Sequence, residues 1–136
     1  MADAEPSLST AGSVRADLSP PDTSPPLTFD AFPISAEVRE ALGAMGYSTP
    51  TDVQSHVIRM ALEGKDLVVQ SKTGSGKTAA FGIPMVERLD PASGGPGAPL
   101  ALVLTPTREL AGQVAAELSL LAEKKAVATT GITLWL

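Results

Sequence analysis

The sequence predicts an α/β fold, a parallel sheet with flanking helices, and three observations carry that reading. An apolar run, Leu67-Val68-Val69-Gln70, breaks into the Gly-rich stretch Ser71-Lys72-Thr73-Gly74-Ser75-Gly76-Lys77-Thr78. Helix-compatible residues, Thr78-Ala79-Ala80-Phe81, follow directly. A second apolar run, Leu100-Ala101-Leu102-Val103-Leu104, comes after that helix. Strand, helix and strand thus stand in the order of a right-handed βαβ unit.

The turn between the first strand and the helix has the phosphate-cradling P-loop pattern in its proper context. Gly74 and Gly76 let the backbone adopt positive φ, so that successive N–H groups point into one concavity. The helix starting near Lys77 adds its positive dipole end to the same spot. Lys77 supplies a point charge for the β- and γ-phosphates, and the Thr78 hydroxyl is placed to ligate Mg²⁺. Ser71 stands where the usual pattern has its first glycine.

Composition bounds the remaining possibilities. The 136 residues fit one domain. No cysteine is present, so there is no disulfide frame and no thiolate metal site, which suits a reducing, cytoplasmic setting. No stretch reaches the roughly 18 apolar residues of a membrane helix. The opening Met-Ala-Asp-Ala-Glu is acidic and lacks the apolar core of a secretory signal. At a net charge of −5 no global basic field marks a nucleic-acid binder, so any RNA contact is a local patch.

Residues 1–28 hold Pro6, Pro20, Pro21, Pro25 and Pro26 among Ser, Thr, Ala and Asp. Such a segment buries too little apolar surface to offset its ordering entropy, and it reads as a disordered tail. Order is expected over 29–136. Ser35 reads as an N-cap with Glu37 in the first turn, and Val38, Ala41, Leu42 and Met45 follow at helical spacing. Gly46 ends that helix. Pro50 sets an extended entry, Thr51 caps a second helix with Val53, Val57, Ile58 and Ala61 on its apolar face, and Gly64 ends it.

Two readings compete at Gln54. Thr51-x-x-Gln54 has capping-box spacing, with Gln54 reaching back to the Thr51 backbone N–H. The same amide can donate and accept at once, as recognition of an adenine edge requires.

Residues 66–70 read as a parallel strand buried on both faces. The helix after the loop runs from Lys77 to about Leu89, with Pro84 expected to kink or shorten it. A Gly/Pro loop, Asp90-Pro91-Ala92-Ser93-Gly94-Gly95-Pro96-Gly97, leads to the second strand. Beyond Thr105-Pro106-Thr107-Arg108-Glu109-Leu110-Ala111 a further helix carries the stripe Leu110, Val114, Leu118 and Leu121. His56 and Trp135 carry no assigned role, and Tyr47 reads as a packing aromatic.

Three motifs in this order resemble the first RecA-like domain of DEAD-box ATP-dependent RNA helicases, over about residues 29–125. Gly46-Tyr47-x-x-Pro50-Thr51-x-x-Gln54, with Phe29 17 residues before Gly46, resembles the Q motif (29–55). Residues 71–78 resemble motif I, and Pro106-Thr107-Arg108-Glu109-Leu110-Ala111 resembles motif Ia (106–111). The resemblance implies that Gln54 reads adenine, with a partial capping role retained, and that Phe29 packs on its ring. It implies that Ser71, Lys72, Thr73, Gly74, Ser75, Gly76, Lys77 and Thr78 hold ATP. Lys77 and Thr78 are then the catalytic candidates, Thr78 on Mg²⁺, and Pro106, Thr107 and Arg108 meet RNA. A monomer that binds ATP and no membrane is implied, with single-stranded or duplex RNA bound weakly or not at all by this fragment.

The family's Asp-Glu-Ala-Asp and Ser-Ala-Thr segments do not occur in the sequence, and residues 128–136 depart from its pattern. The expectation is a partial domain, at best marginally stable, that neither unwinds RNA nor turns over ATP. The alternatives are a non-catalytic nucleotide-binding fragment and another P-loop NTPase. The Q-like segment and Pro106-Thr107-Arg108-Glu109-Leu110 argue against the latter, and a measured preference for ATP over GTP, as Gln54 predicts, would discriminate them.

Overall fold

The computed structural model describes residues 28–125 and 127. Of the tail expected over residues 1–28 only Thr28 is described; residues 1–27, and Trp135, lie outside the described residues. Four helices carry the fold: α1 (Ala36–Ala44), α2 (Asp52–Leu62), α3 (Lys77–Arg88) and α4 (Arg108–Ala122).

Local chemistry sets their limits. The Ser35 hydroxyl caps α1 by accepting from Val38 N at 3.4 Å. At its other end Tyr47 N donates to Leu42 O (2.9 Å) and Gly46 N to Gly43 O (3.1 Å), the Schellman pattern, with Gly46 at φ +80°. The predicted capping box opens α2: Gln54 N donates to Thr51 Oγ1 (3.4 Å) and Thr51 N to Gln54 Oε1 (2.9 Å). Thr107 caps α4 by accepting from Leu110 N at 3.2 Å.

The core lies among these helices. Val38 and Leu42 of α1, Ile58 of α2, Ile83 and Val86 of α3, and Leu121 of α4 are each at most 2 % exposed. Burying a side chain of this size contributes about 1.5–3 kcal/mol. Pro84 does not break α3, which continues to Arg88; the prolyl ring is buried instead. Gly82 faces α4: a Cβ there would stand 2.8 Å from Leu118 Cδ2 and 3.1 Å from Leu121 Cδ1. Glu87 fastens the layer. It accepts from Ser35 N (3.0 Å) and Ser35 Oγ (2.9 Å), and Lys125 Nζ donates to its backbone oxygen at 2.8 Å.

The two expected strands are not formed here, and the expected burial of residues 66–70 on both faces needs correction. Among the described residues neither run forms a strand, and no backbone hydrogen bond joins residues 66–70 or 100–104 to a neighbour. Nor are they buried on both faces. Val103 packs against the core, whereas Leu102 and Leu104 are 79 % and 84 % exposed. Leu67 is half-buried and lines a groove against α2 and α3, whereas Val68 is 69 % exposed. The alternation is that of a strand, with one face on the helices and the other bare. A strand's backbone must pair with a neighbour about 4.8 Å away; Val69 of the first run and Val103 and Leu104 of the second instead line one groove of about 320 Å³. Leu110, placed on the apolar stripe of α4, lines that groove and is 39 % exposed.

Candidate nucleotide site

The Gly-rich loop curls as its glycines dictate. Gly74 and Gly76 stand at φ +79° and +82°, in the left-handed region that side chains with a Cβ rarely adopt. Gly76 is also the N-cap of α3 and brings no capping side chain. The first N–H groups of α3 are therefore left for a ligand, and with the helix dipole they favour an anion. Ser75 N donates to Lys72 O at 3.3 Å, and the Ser71 and Ser75 hydroxyls are hydrogen-bonded at 2.6 Å, so the loop is closed at its base. The Lys77 ammonium donates to Ser71 O (2.5 Å) and Lys72 O (3.1 Å), folded back across the loop mouth.

The loop is clamped from α2. Thr51 Oγ1 donates to Ser75 O at 2.8 Å and Gln54 Nε2 to Gly76 O at 3.2 Å. Gln54 is fully buried, the sole polar side chain buried to this degree among the described residues. Its oxygen serves Thr51 N and its nitrogen serves Gly76 O. The capping reading holds, and the amide also positions the loop. The fit is tight enough that a Cβ on Gly76 would lie 2.4 Å from Gln54 Nε2. Gly76 is thus required twice, for its φ and for this approach.

Other predicted residues are distributed around this centre. Phe29 sits in the core, 6 % exposed, with its ring 6.4 Å from Phe32 and 6.4 Å edge-on to Tyr47. Thr78 is half-buried, and with Lys77 it lines the groove that also holds Val69, Thr105 and Pro106. The loop and the start of the α4 segment are thereby brought together, although Pro106 stands 28 positions after Thr78. Thr107 and Arg108 are exposed at the α4 N-terminus, and Thr105 Oγ1 donates to Thr107 O at 2.9 Å. Among the described residues no three His, Cys, Asp or Glu side chains cluster as metal ligands. Mg²⁺ needs no such cage, because it is commonly held by one or two protein oxygens together with substrate phosphates and water.

A family model for DEAD/DEAH box helicases matches residues 51–134. The chain belongs to that family. Over 104 residues it is 48 % identical to the ATP-dependent RNA helicase DbpA of Bacillus subtilis, which covers 76 % of this chain and 21 % of the relative. Over 88 residues it is 51 % identical to the ATP-dependent RNA helicase DRS1 of Yarrowia lipolytica, covering 65 % and 12 %. A DEAD box protein from Methanococcus jannaschii matches in structure with a TM-score of 0.62 and 39 % identity, over 70 % of this chain and 25 % of that one. S. cerevisiae Dbp5 bound to RNA and ADP BeF3 matches with a TM-score of 0.66 and 29 % identity, over 71 % and 25 %. The helical layer is thus that of the family's RecA-like domain. The chain spans about a fifth of the length of its bacterial relatives.

Sequence reasoning missed the outward bonds of the Q segment, from Thr51 to Ser75 and from Gln54 to Gly76. The capping box signalled the local half of that arrangement. Nothing in the spacing signals the half that reaches more than 20 residues along the chain. The hydrogen bond from Tyr47 to Glu117 was missed for the same reason.

Proposed function

We propose that this chain is the ATP-binding portion of an ATP-dependent RNA helicase. The observation that carries the proposal is the loop at residues 71–78: an uncapped helix start, two left-handed glycines and the Lys77 ammonium around one concavity. Lys77 would leave the carbonyls of Ser71 and Lys72 for the β- and γ-phosphates, exchanging neutral acceptors for charged ones. The N–H groups of residues 74–78 would take the remaining phosphate oxygens. Thr78 would hold Mg²⁺, which neutralises charge developing on the phosphates.

Adenine is assigned to Gln54 and Phe29. Gln54 retains one amide hydrogen and one lone pair beyond its present bonds, and Phe29 is assigned on the family resemblance. RNA is assigned to Pro106, Thr107 and Arg108, where the α4 N-terminus favours a backbone phosphate. The groove shared by Lys77, Thr78, Thr105 and Pro106 supports placing the two ligands side by side.

The parallel sheet belongs to this reading as well: the one-sided alternation of residues 67–69 and 102–104 supports two strands awaiting neighbours. A cytoplasmic protein is proposed, since the lack of cysteine suits a reducing compartment, and a monomer is proposed on the family resemblance alone. No helix among the described residues is long and apolar enough to cross a membrane. Without the Asp-Glu-Ala-Asp segment in its sequence, the 136-residue chain should bind ATP without RNA-stimulated hydrolysis.

Titration of the purified chain with labelled ATP tests the reading. Micromolar binding that Lys77→Ala abolishes is expected. Binding unaffected by that substitution, or none by the parent chain, would overturn it, and RNA-stimulated hydrolysis would overturn the expected lack of turnover.

A further inference from the structure

Ser71 departs from the usual pattern, which has a glycine in its place, and its side chain is in use. Its hydroxyl and that of Ser75 are hydrogen-bonded at 2.6 Å across the base of the loop. Both residues are half-buried. A glycine has no group that could make this bond.

Above that bond the loop's donors face inward. Ser75 N donates to Lys72 O at 3.3 Å. The Lys77 ammonium donates to Ser71 O at 2.5 Å and to Lys72 O at 3.1 Å. The Ser75 N–H and the Lys77 ammonium are groups that the nucleotide reading gives to phosphate. Each must turn away from these carbonyls before it can serve an oxyanion.

Helix α2 divides the loop into a held half and a free half. Thr51 Oγ1 donates to Ser75 O and Gln54 Nε2 to Gly76 O, at 2.8 and 3.2 Å. Among the described residues no side chain of α2 bonds to residues 71–74. Gly74, at φ +79°, has nothing within 4 Å of the place a Cβ would take. The half with room to move is therefore 71–74, and the bond between the serine hydroxyls ties it to the held half.

We propose that the Ser71 hydroxyl is a latch: bonded to Ser75, it favours the inward arrangement of the loop and lowers its affinity for a triphosphate. The proposal rests on the nucleotide reading given above and adds a control on the same loop. The physics is a population effect, since apparent affinity falls with the fraction of molecules whose loop is open. One neutral hydrogen bond shifts such an equilibrium about five-fold.

Titrations of the full chain with Mg²⁺ and either ATP or inorganic triphosphate test the latch. Ser71→Ala, Ser71→Gly and Ser75→Ala should each bind both ligands about five-fold more tightly than the parent. A gain of affinity is an outcome that a loosened fold does not produce. Ser71→Thr, the conservative variant, keeps a hydroxyl and should show no such gain. The double variant with both serines changed to alanine should gain no more than either single one, because both remove the same bond. Hydrogen exchange at the Ser75 amide, measured without ligand, should quicken by a similar factor in Ser71→Ala. Unchanged or weaker triphosphate binding in Ser71→Ala, with Lys77→Ala abolishing binding, would overturn the latch and leave the nucleotide reading standing. Additive gains in the double variant, or unchanged exchange at Ser75, would overturn it as well. If Lys77→Ala binds like the parent, the nucleotide reading itself fails, and the latch falls with it.

Discussion

The helical layer and the two apolar runs are made of similar residues and end in opposite states. Ile58, Ile83 and Leu121 are fully buried, whereas Val68, Leu102 and Leu104 are between 69 % and 84 % exposed. Side-chain hydrophobicity does not separate them. The backbone does: a helix satisfies its own N–H and C=O groups, so once formed it needs only an apolar face to pack. A strand satisfies nothing by itself and must find a paired neighbour. Residues 66–70 and 100–104 each place one face on α2, α3 or α4, and neither finds a backbone partner among the described residues.

Substitutions can break or sharpen this contrast. In the helical layer, Ile83→Ala or Leu121→Ala removes a fully buried side chain and should cost about 2–5 kcal/mol. Chemical denaturation followed by circular dichroism reads that loss, and a change below about 0.5 kcal/mol would place these residues outside the core. At the border of the two regions, Gly76→Ala meets both a positive φ and the Gln54 amide. A loss of about 1–3 kcal/mol is expected, together with loss of labelled-ATP binding. Retained binding would show that the clamp does not shape the loop.

In the bare runs the expectation reverses. Leu102→Lys should change unfolding free energy by less than about 0.5 kcal/mol, while a charge on an open edge suppresses association. Light scattering should fall and soluble yield rise; a large loss of stability would mean that Leu102 is buried after all. The smallest effect concerns pH. Burial, together with the hydrogen bond to Glu117, raises the Tyr47 phenol above its usual value, so it is protonated more firmly in the fold than in the unfolded chain. Its contribution is complete below pH about 10 and is lost as pH rises through the raised folded value. Thermal melting above pH 10 should therefore fall less steeply in Tyr47→Phe than in the parent.

These contrasts also mark what a sequence reveals. Helix ends were legible because Ser35, Thr51, Gly46 and Gly64 act on neighbours within a few residues. The Gly-rich loop was legible because glycine spacing and the flanking runs are local signals. Strand pairing was not, since an apolar run announces its preference and not its partner. The clamp from Thr51 and Gln54 onto the loop, the close approach at Gly82 and the bond from Tyr47 to Glu117 all join residues distant in sequence. Only the fold brings them together.

The central claim is that residues 71–78 hold a triphosphate on the N–H groups of the α3 N-terminus. Backbone amide NMR of the chain titrated with ATP and Mg²⁺ tests it most directly. Shifts concentrated at Gly74, Ser75, Gly76, Lys77 and Thr78, and lost in Lys77→Ala, are expected. Shifts confined to other residues, or unchanged in Lys77→Ala, would contradict it.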